Sequence, residues 1–139
     1  MRLVFDTDAL VAAMRSPSGA SAALLRAARH GRVVLVATVA LCIEYETVCG
    51  RAEQVLAAGF SFVDLRVFLD AVVDLVHPVD PWFLWRPQLR DPGDELVLDA
   101  AVNGRAQAIV TFNRRDFRPA ADRFGLDILL PSEALRSLP

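Results

Sequence analysis

Two aspartates follow the first apolar run of the chain, with a single residue between them. Leu3, Val4 and Phe5 lead directly into Asp6, and Asp8 comes two positions later. An apolar run of this kind is typical of a buried strand in a parallel sheet. Ligands of open α/β sheets bind beyond the carboxyl ends of the strands, so we expect Asp6 where chemistry is done. Carboxylates there commonly hold a divalent cation, because hard cations prefer oxygen ligands. The alternative is that an aspartate caps the next helix.

Acidic side chains recur at the starts and faces of later predicted helices. Glu44 lies in an otherwise apolar helical stretch, and the alternative is that it occupies the exposed side of that helix. Asp94 opens another helix, with Asp91 before it and Glu95 after it. One acid there is explained by the favourable interaction of carboxylates with a helix N-terminus. Three acids in five residues exceed what capping requires.

A further acid follows the strand predicted at residues 108–111. Asp116 lies in the stretch 111–117, which we predict to be a loop, so a plain surface acid is the alternative. Several ionised carboxylates in one cleft repel each other, and a bound cation relieves that repulsion. His30 and His77 are isolated and show no metal-ligand spacing. Oxygen ligands alone favour Mg²⁺ or Mn²⁺ and phosphoryl chemistry.

The elements that must position these acids alternate between strands and helices. Strands are predicted at the N-terminal run and at residues 33–36, 108–111 and 127–130. Helices are predicted at about 7–14, 20–29, 39–48, 51–58, 62–76 and 92–103, and again from Pro131. Residues 78–92 are predicted to form no helix or strand. We expect Trp82 and Trp85 to be mostly buried beneath this Pro-rich stretch. The pattern predicts one domain over residues 1–139, a three-layer α/β/α fold with a small central parallel sheet.

Composition narrows the classes of protein that remain. All fifteen basic residues are Arg, which excludes the lysine chemistry of P-loops and Schiff bases. The net charge of −2 indicates no general attraction to nucleic acid. Hydrophobic residues make up 54 % of the chain, and this high content favours a partner or a second copy that covers part of the surface. No apolar run approaches the ~18 residues of a membrane span, and no leader precedes Asp6. Cys42 and Cys49 are expected to be thiols of a cytoplasmic protein.

The motifs occur in the order found in the PIN domain (PilT N-terminus) nucleases, and the chain resembles their VapC-like group of toxins from toxin–antitoxin pairs. Residues 4–11 (VFDTDALV) resemble the strand-Asp-Thr-Asn opening of that family, and residues 16–20 (SPSGA) follow in the same manner. Residues 41–48 (LCIEYETV) resemble its Glu-Tyr helix. Residues 90–95 (RDPGDE) resemble its Arg-Asp-Pro helix entry, and residues 109–117 (IVTFNRRDF) resemble its last acidic motif. The set covers essentially the whole chain.

The resemblance implies a metal-dependent ribonuclease and assigns roles by position. Asp6 and Asp94 would ligate Mg²⁺ or Mn²⁺, Glu44 would act through water, and Asp116 would support a second ion or the leaving group. The remaining positions would support the ligands or hold the RNA backbone. The supporting residues are Thr7, Asp8, Asp91, Glu95, Thr111 and Asn113, and the backbone-binding candidates are Arg114, Arg115 and Arg118. A homodimer and an antitoxin that plugs the acidic cleft with a basic side chain are the implied partners.

Two departures from the family pattern leave alternatives open. Asp8 replaces the usual Asn, and Asn113 stands where a fourth acid often occurs, which predicts a weaker second metal site. A PIN-fold module that binds RNA or protein without efficient cleavage is therefore one alternative. A phosphatase of the haloacid dehalogenase type is another, since those enzymes also begin strand-Asp-x-Asp. The absence of Lys and the short chain beyond Thr111 argue against it.

Overall fold

The computed structural model describes all 139 residues as an α/β fold in which helices surround a five-stranded sheet. The strands are β1 (Arg2–Phe5), β2 (Val34–Ala37), β3 (Val76–Pro78), β4 (Ala108–Val110) and β5 (Asp127–Leu129). The helices are α1 (Thr7–Arg15), α2 (Ala20–Arg29), α3 (Val39–Cys49), α4 (Ala52–Ala58), α5 (Phe62–Leu75), α6 (Pro92–Asn103), α7 (Arg114–Phe124) and α8 (Pro131–Arg136). The predicted fold class is confirmed. Every helix is too short or too polar to cross a bilayer.

All strand pairs are parallel, in the order β3-β2-β1-β4-β5. The chain runs from β1 to one side of the sheet and later returns to the other side at β4. The boundary between β1 and β4 is therefore the point where the strand order reverses, and such a point opens a crevice at the carboxyl ends of the strands. Phe5 pairs with Val110 at this edge. The residues that follow these two strands necessarily meet there.

The core explains why the strands read as unbroken apolar runs. Leu3, Val4 and Ile109 are fully buried, since helices cover both faces of a parallel sheet. Helix α6 packs against β1, β2 and β4. At ~25 cal/mol per Å² of apolar surface removed from water, each buried Leu or Ile side chain contributes roughly 2 kcal/mol. The helix that carries Asp94 is thus held firmly against the central strands.

The predicted end of the fifth helix is wrong. Val76 was expected in a helix and Pro78 in irregular chain, yet residues 76–78 form the edge strand β3, paired with β2 from Leu35↔Val76 to Ala37↔Pro78. The helix ends at Leu75 because Val76 takes an extended conformation with ψ 133°. Pro78 is tolerated because an edge strand needs hydrogen bonds on one side only.

The stretch after β4 also differs from the prediction. The sequence predicts a loop at residues 111–117, but α7 begins at Arg114 and contains Asp116 in its first turn. Pro119 lies inside this helix. In the sequence it argues against a helix, because proline removes one backbone donor and normally ends a helix. Phe117 and Ala120 are buried and fasten the helix to the core, which outweighs that loss.

The two tryptophans are not core residues. Trp82 is 80 % exposed and Trp85 is 47 % exposed, so the expectation that they lie mostly buried is wrong. They sit in the segment between β3 and α6, which runs over the surface and contains no helix or strand.

A carboxylate cluster at the switch point of the sheet

Asp6 lies at the centre of the cluster and is only 5 % exposed. It is the N-cap of α1, and its Oδ1 accepts a hydrogen bond from the Thr7 backbone N–H at 2.8 Å. Its Oδ2 accepts one from the Thr111 hydroxyl at 2.7 Å. Burial raises the pKa of Asp6, while the bonds from Thr111 and Thr7 oppose that rise. The capping and functional interpretations are compatible, since capping occupies only one oxygen.

Asp8 lies one residue into α1 and turns toward the end of β4. Its Oδ2 accepts a hydrogen bond from the Phe112 backbone N–H at 3.1 Å. Burial and then the negative charge of Asp6 raise the pKa of Asp8 to about 7. The two aspartates that flank Thr7 in the sequence are therefore neighbours in space that compete for ionisation.

Asp94 reaches the same region from the N-terminus of α6. Asp91 is the N-cap of that helix and accepts a 2.7 Å bond from the Gly93 N–H, which leaves Asp94 free of the capping role. The pKa of Asp94 is raised to about 7, mainly by burial and then by the negative charges of Asp6, Asp91, Asp116 and Asp8. These five carboxylates thus share one electrostatic environment.

Glu44 enters from α3 and is half-buried. A methyl group at Gly93 would lie 4.0 Å from the Glu44 Oε1 and 3.1 Å from an Asp91 oxygen, so the Glu44 carboxylate faces the N-terminus of α6 across a gap left by glycine. The next residue, Tyr45, is buried and donates a hydrogen bond from its hydroxyl to the Phe5 carbonyl. That bond ties α3 to the end of β1 and fixes the position of Glu44.

A polar cleft of about 750 Å³ extends from the cluster toward α7. Asp94 and Asp116 line it together with Arg90 and Arg115. A second hollow of about 480 Å³ adjoins the cluster at Asp8 and is more apolar. The acids therefore lie between two depressions, and an extended ligand could pass across them.

The three arginines predicted to contact RNA occupy different surroundings. Arg115 lines the cleft, and Arg118 is exposed on α7. Arg114 forms an ion pair with Glu133 at 3.0 Å and so connects α7 to α8. Asn113 is exposed at the N-cap position of α7, and its side chain makes no capping bond. Its backbone N–H donates to the Thr111 hydroxyl at 2.9 Å.

The Glu95 carboxylate bonds to backbone amides that precede α6. It is 5 % exposed, and its Oε1 accepts backbone hydrogen bonds from Gln88 at 2.7 Å and Leu89 at 2.8 Å. Its contacts are with the segment that precedes α6, whose residues 87–91 form one wall of the cleft. Glu95 thus supports the site through the chain beside it.

Two further residues of α6 that hold the segment before this helix were not predicted from the sequence. Asp99 pairs with Arg86, and Asn103 exchanges bonds with the Phe83 backbone at 2.9 and 2.8 Å. Glu95, Asp99 and Asn103 are spaced four residues apart, which places them on one face of α6. Polar residues at that spacing in an apolar helix were the available signal.

The donor chemistry of the cluster suits a hard divalent cation, because every side chain offers carboxylate oxygens and the accumulated negative charge needs neutralisation. The gap at Gly93 leaves space between Asp91 and Glu44. No three His, Cys, Asp or Glu residues are grouped closely enough to hold an ion. A ligand set drawn from Asp6, Glu44 and Asp94 would need side-chain adjustment.

Comparison with known proteins agrees with the motifs. The family model for the PIN domain matches residues 2–115. Among solved structures, that of VapBC2 from Rickettsia felis bound to a DNA fragment from their promoter is similar, with a TM-score of 0.61 over 94 % of this chain and 98 % of that chain. Sequence identity is 14 %, so this likeness concerns the fold. No curated protein sequence matches the chain. The family match extends over most of the chain, and this protein belongs to the PIN domain family.

Proposed function

We propose that this protein is an endoribonuclease that depends on Mg²⁺ or Mn²⁺ and serves as the toxin of a type II toxin–antitoxin pair. The observation that carries the proposal is the meeting of Asp6, Asp8 and Asp94 where β1, β4 and the N-terminus of α6 converge, with the pKa of Asp94 raised to about 7 by burial and by its acidic neighbours. Such crowding is unfavourable unless a cation offsets it. Nuclease activity is typical of the family. Dependence on a divalent metal, RNA as the substrate and the role of a toxin are what we add to it.

Under this proposal Asp6 and Asp94 would hold the divalent ion, with Glu44 and Asp116 on either side. A bound ion supplies a more acidic water molecule and positive charge beside the scissile phosphate. The chain itself fixes the geometry of the ligands. Thr111 holds Asp6 by its 2.7 Å hydrogen bond, and Asp91 caps α6 so that Asp94 stays at the mouth of the cleft.

The substrate backbone would be held by the guanidinium groups near the acids. Arg90 and Arg115 line the cleft that contains Asp94 and Asp116. An acidic site repels RNA unless basic groups are close by, and Arg can contact phosphate oxygens with two parallel hydrogen bonds. Arg118, exposed on the same helix as Arg115, extends this basic edge. We assign Arg114 a smaller part because Glu133 already engages it.

The experiment that tests the activity is cleavage of a mixed pool of structured and unpaired RNA with Mg²⁺, with Mn²⁺ and with EDTA. Asp94→Asn removes one candidate ligand, and Asp74→Asn, at an exposed position on α5, is the matched control. We expect cleavage with either ion by the parent and the control, and none by Asp94→Asn or in EDTA. Cleavage that survives EDTA or Asp94→Asn contradicts the proposed metal site.

A binding module without efficient catalysis is the second candidate, and one observation favours it. Asn113 brings no charge to the start of α7, and Asp116, the nearest acid on that helix, is exposed rather than packed among the others. RNA binding by the folded protein, without cleavage under any metal, would favour this candidate. The phosphatase alternative has no support once the family is known.

A second copy and an antitoxin are the proposed protein partners. Val39 and Ile43 on α3 and Val73 on α5 are 48–73 % exposed and flank an apolar groove of about 400 Å³, which suits a self-complementary dimer contact. Replacing Ile43 with Glu should convert a dimer to a monomer in light-scattering measurements.

The similar VapBC2 structure motivates the antitoxin, whose basic side chain would neutralise the acidic cleft. Growth arrest by the parent but not by Asp94→Asn would support the toxin role, and the free thiols Cys42 and Cys49 accord with a cytoplasmic site of action.

A further inference from the structure

Four consecutive large apolar side chains are exposed between β3 and α6. Trp82, Phe83, Leu84 and Trp85 are 80, 62, 58 and 47 % exposed, and we call this segment the aromatic strap. Exposing a contiguous group of this kind costs solvation free energy, so such groups commonly mark a binding surface. Three of the four side chains are aromatic.

The aromatic strap is held in place by one face of α6. Asn103 accepts from the Phe83 N–H at 2.9 Å and donates to the Phe83 carbonyl at 2.8 Å. Asp99, which is 5 % exposed, pairs with the Arg86 guanidinium. Glu95 then fixes the backbone of Gln88. One of these anchors holds the strap itself and the other two hold the chain directly after it, so less conformational entropy is lost on binding.

A chain of contacts connects the strap to the cleft that contains the acids. The rings of Phe83 and Trp85 lie 6.2 Å apart at an angle of 29°, and Trp85 lies 6.4 Å from the ring of Phe124. The Arg123 guanidinium lies 5.6 Å from the Phe124 ring and donates to the Gln88 side chain at 2.9 Å. Gln88 is itself a wall residue of the cleft. A ligand spanning strap and cleft thus meets aromatic faces first and then guanidinium groups.

We propose that the aromatic strap binds unpaired bases of an RNA strand whose backbone lies in the cleft, an inference that rests on the proposed ribonuclease function. Aromatic rings stack on any base, whereas a duplex hides the faces of its bases, so the strap would select single-stranded substrate. The charge near the strap supports this proposal, because Arg90 and Arg115 line the cleft beside Asp94, and Arg123 contacts the cleft wall at Gln88. The exposed aliphatic surface on α3 and α5 is better suited to another protein.

The two tryptophans of the chain both lie on the strap, so intrinsic tryptophan fluorescence reports on this segment alone. The test titrates Asp94→Asn protein in EDTA with a short unpaired RNA, with an abasic strand of the same length and with a duplex. We expect quenching by the unpaired RNA only. Equal quenching by the abasic strand overturns the inference, because that strand offers phosphates without bases.

A paired set of variants separates stacking from general binding. Phe83→Ala keeps both tryptophans as reporters and should weaken the affinity for unpaired RNA by about 5-fold or more. Leu56→Ala, at an 82 % exposed position on α4, is the control and should leave affinity unchanged. Unchanged RNA affinity in Phe83→Ala overturns the inference, as does a loss of self-association in its place, which would make the strap a protein interface.

Failure of this inference and failure of the proposed function give different results. Cleavage by the parent protein without fluorescence quenching retains the ribonuclease and removes the role of the strap. Base-dependent quenching without cleavage under any metal retains the strap as an RNA-binding surface and removes the proposed catalytic activity.

Discussion

The hydroxyl of Thr111 donates a 2.7 Å hydrogen bond to Asp6 and thereby joins the carboxyl ends of β4 and β1. The same oxygen accepts a 2.9 Å bond from the Asn113 backbone N–H. Since a hydroxyl has one proton, Asp6 receives it and Asp8, 3.4 Å away, does not. The arrangement orients one carboxylate oxygen of Asp6 and leaves Asp8 to the Phe112 N–H.

Replacing Thr111 with Val should reduce cleavage about 10- to 100-fold, the range typical when a hydrogen-bond partner of a metal ligand is lost. The change keeps the shape of the side chain but removes the donor to Asp6 and the acceptor for Asn113. Thr111→Ser is the control and should retain most activity. Measurements of cleavage rate against Mg²⁺ concentration test this, and equal rates for Val and Ser variants would show that the bond has no functional part.

Replacing Asp94 with Asn should stabilise the metal-free protein at high pH. The folded pKa of Asp94, about 7, lies above its ordinary value of 3.8, so the folded state binds the extra proton between these values and stability falls as pH rises through this window. Asn removes this loss. After discounting for solvent screening we expect a gain of roughly 1–2 kcal/mol at pH 8 in EDTA and almost none at pH 4.

Thermal or urea unfolding of the parent, Asp94→Asn and Asp74→Asn proteins measures that difference. The exposed Asp74 lies outside the cluster and should change neither the stability nor its pH dependence. A parent protein whose stability is flat from pH 4 to 8 would contradict the shared electrostatic environment inferred for Asp94.

Replacing Glu95 with Gln should loosen the wall of the cleft without removing a metal ligand. Both backbone N–H groups bond to Oε1 of the buried carboxylate, so an amide that keeps its oxygen there makes weaker, uncharged bonds and places its NH₂ where the buried Oε2 has no partner. We expect a loss of about 1–3 kcal/mol of stability and faster hydrogen exchange at Gln88 and Leu89. Apparent affinity for Mg²⁺ should stay close to that of the parent, and a large drop would place Glu95 among the ligands.

The arginines of α7 should separate into two kinds of variant. Arg115→Ala should weaken RNA binding and lower its salt dependence, because one phosphate contact is lost. Arg114→Ala should leave RNA affinity nearly unchanged and cost at most about 1 kcal/mol of stability, as is usual for a partly exposed ion pair. RNA titrations at two salt concentrations distinguish them, and identical behaviour of the two variants would be inconsistent with the cleft as the RNA path.

Part of the carboxylate cluster could be predicted from the sequence, because strand ends are easy to recognise. Apolar runs that stop at Asp6 and Thr111 imply two buried strands whose carboxyl ends meet at one edge of a parallel sheet, and the structure joins those two residues. The sequence around Asp91 and Asp94 also predicted a helix start, because helix capping depends on only a few adjacent residues.

The elements that were missed depend on contacts between distant residues. A three-residue strand ending in Pro78 shows no periodicity and exists only because β2 offers an edge. Helix α7 contains Pro119 and is stabilised by the packing of Phe117 and Ala120. The exposure of Trp82 and Trp85 follows from anchors on α6 that lie up to about 20 positions away in sequence, as in the Phe83–Asn103 bond. Local patterns do not encode these relationships.

The most direct test of the central claim uses an RNA in which sulfur replaces a non-bridging oxygen of the cleaved phosphate. Mn²⁺ accepts sulfur ligands more readily than Mg²⁺ does, so an ion bound by Asp6 and Asp94 beside the phosphate should respond to the change. We predict that one sulfur diastereomer is cleaved slowly with Mg²⁺ and that Mn²⁺ restores its rate, whereas the unmodified RNA is cleaved well with both ions. Equal sulfur effects with the two ions, or no metal-dependent cleavage of either RNA, would contradict the account.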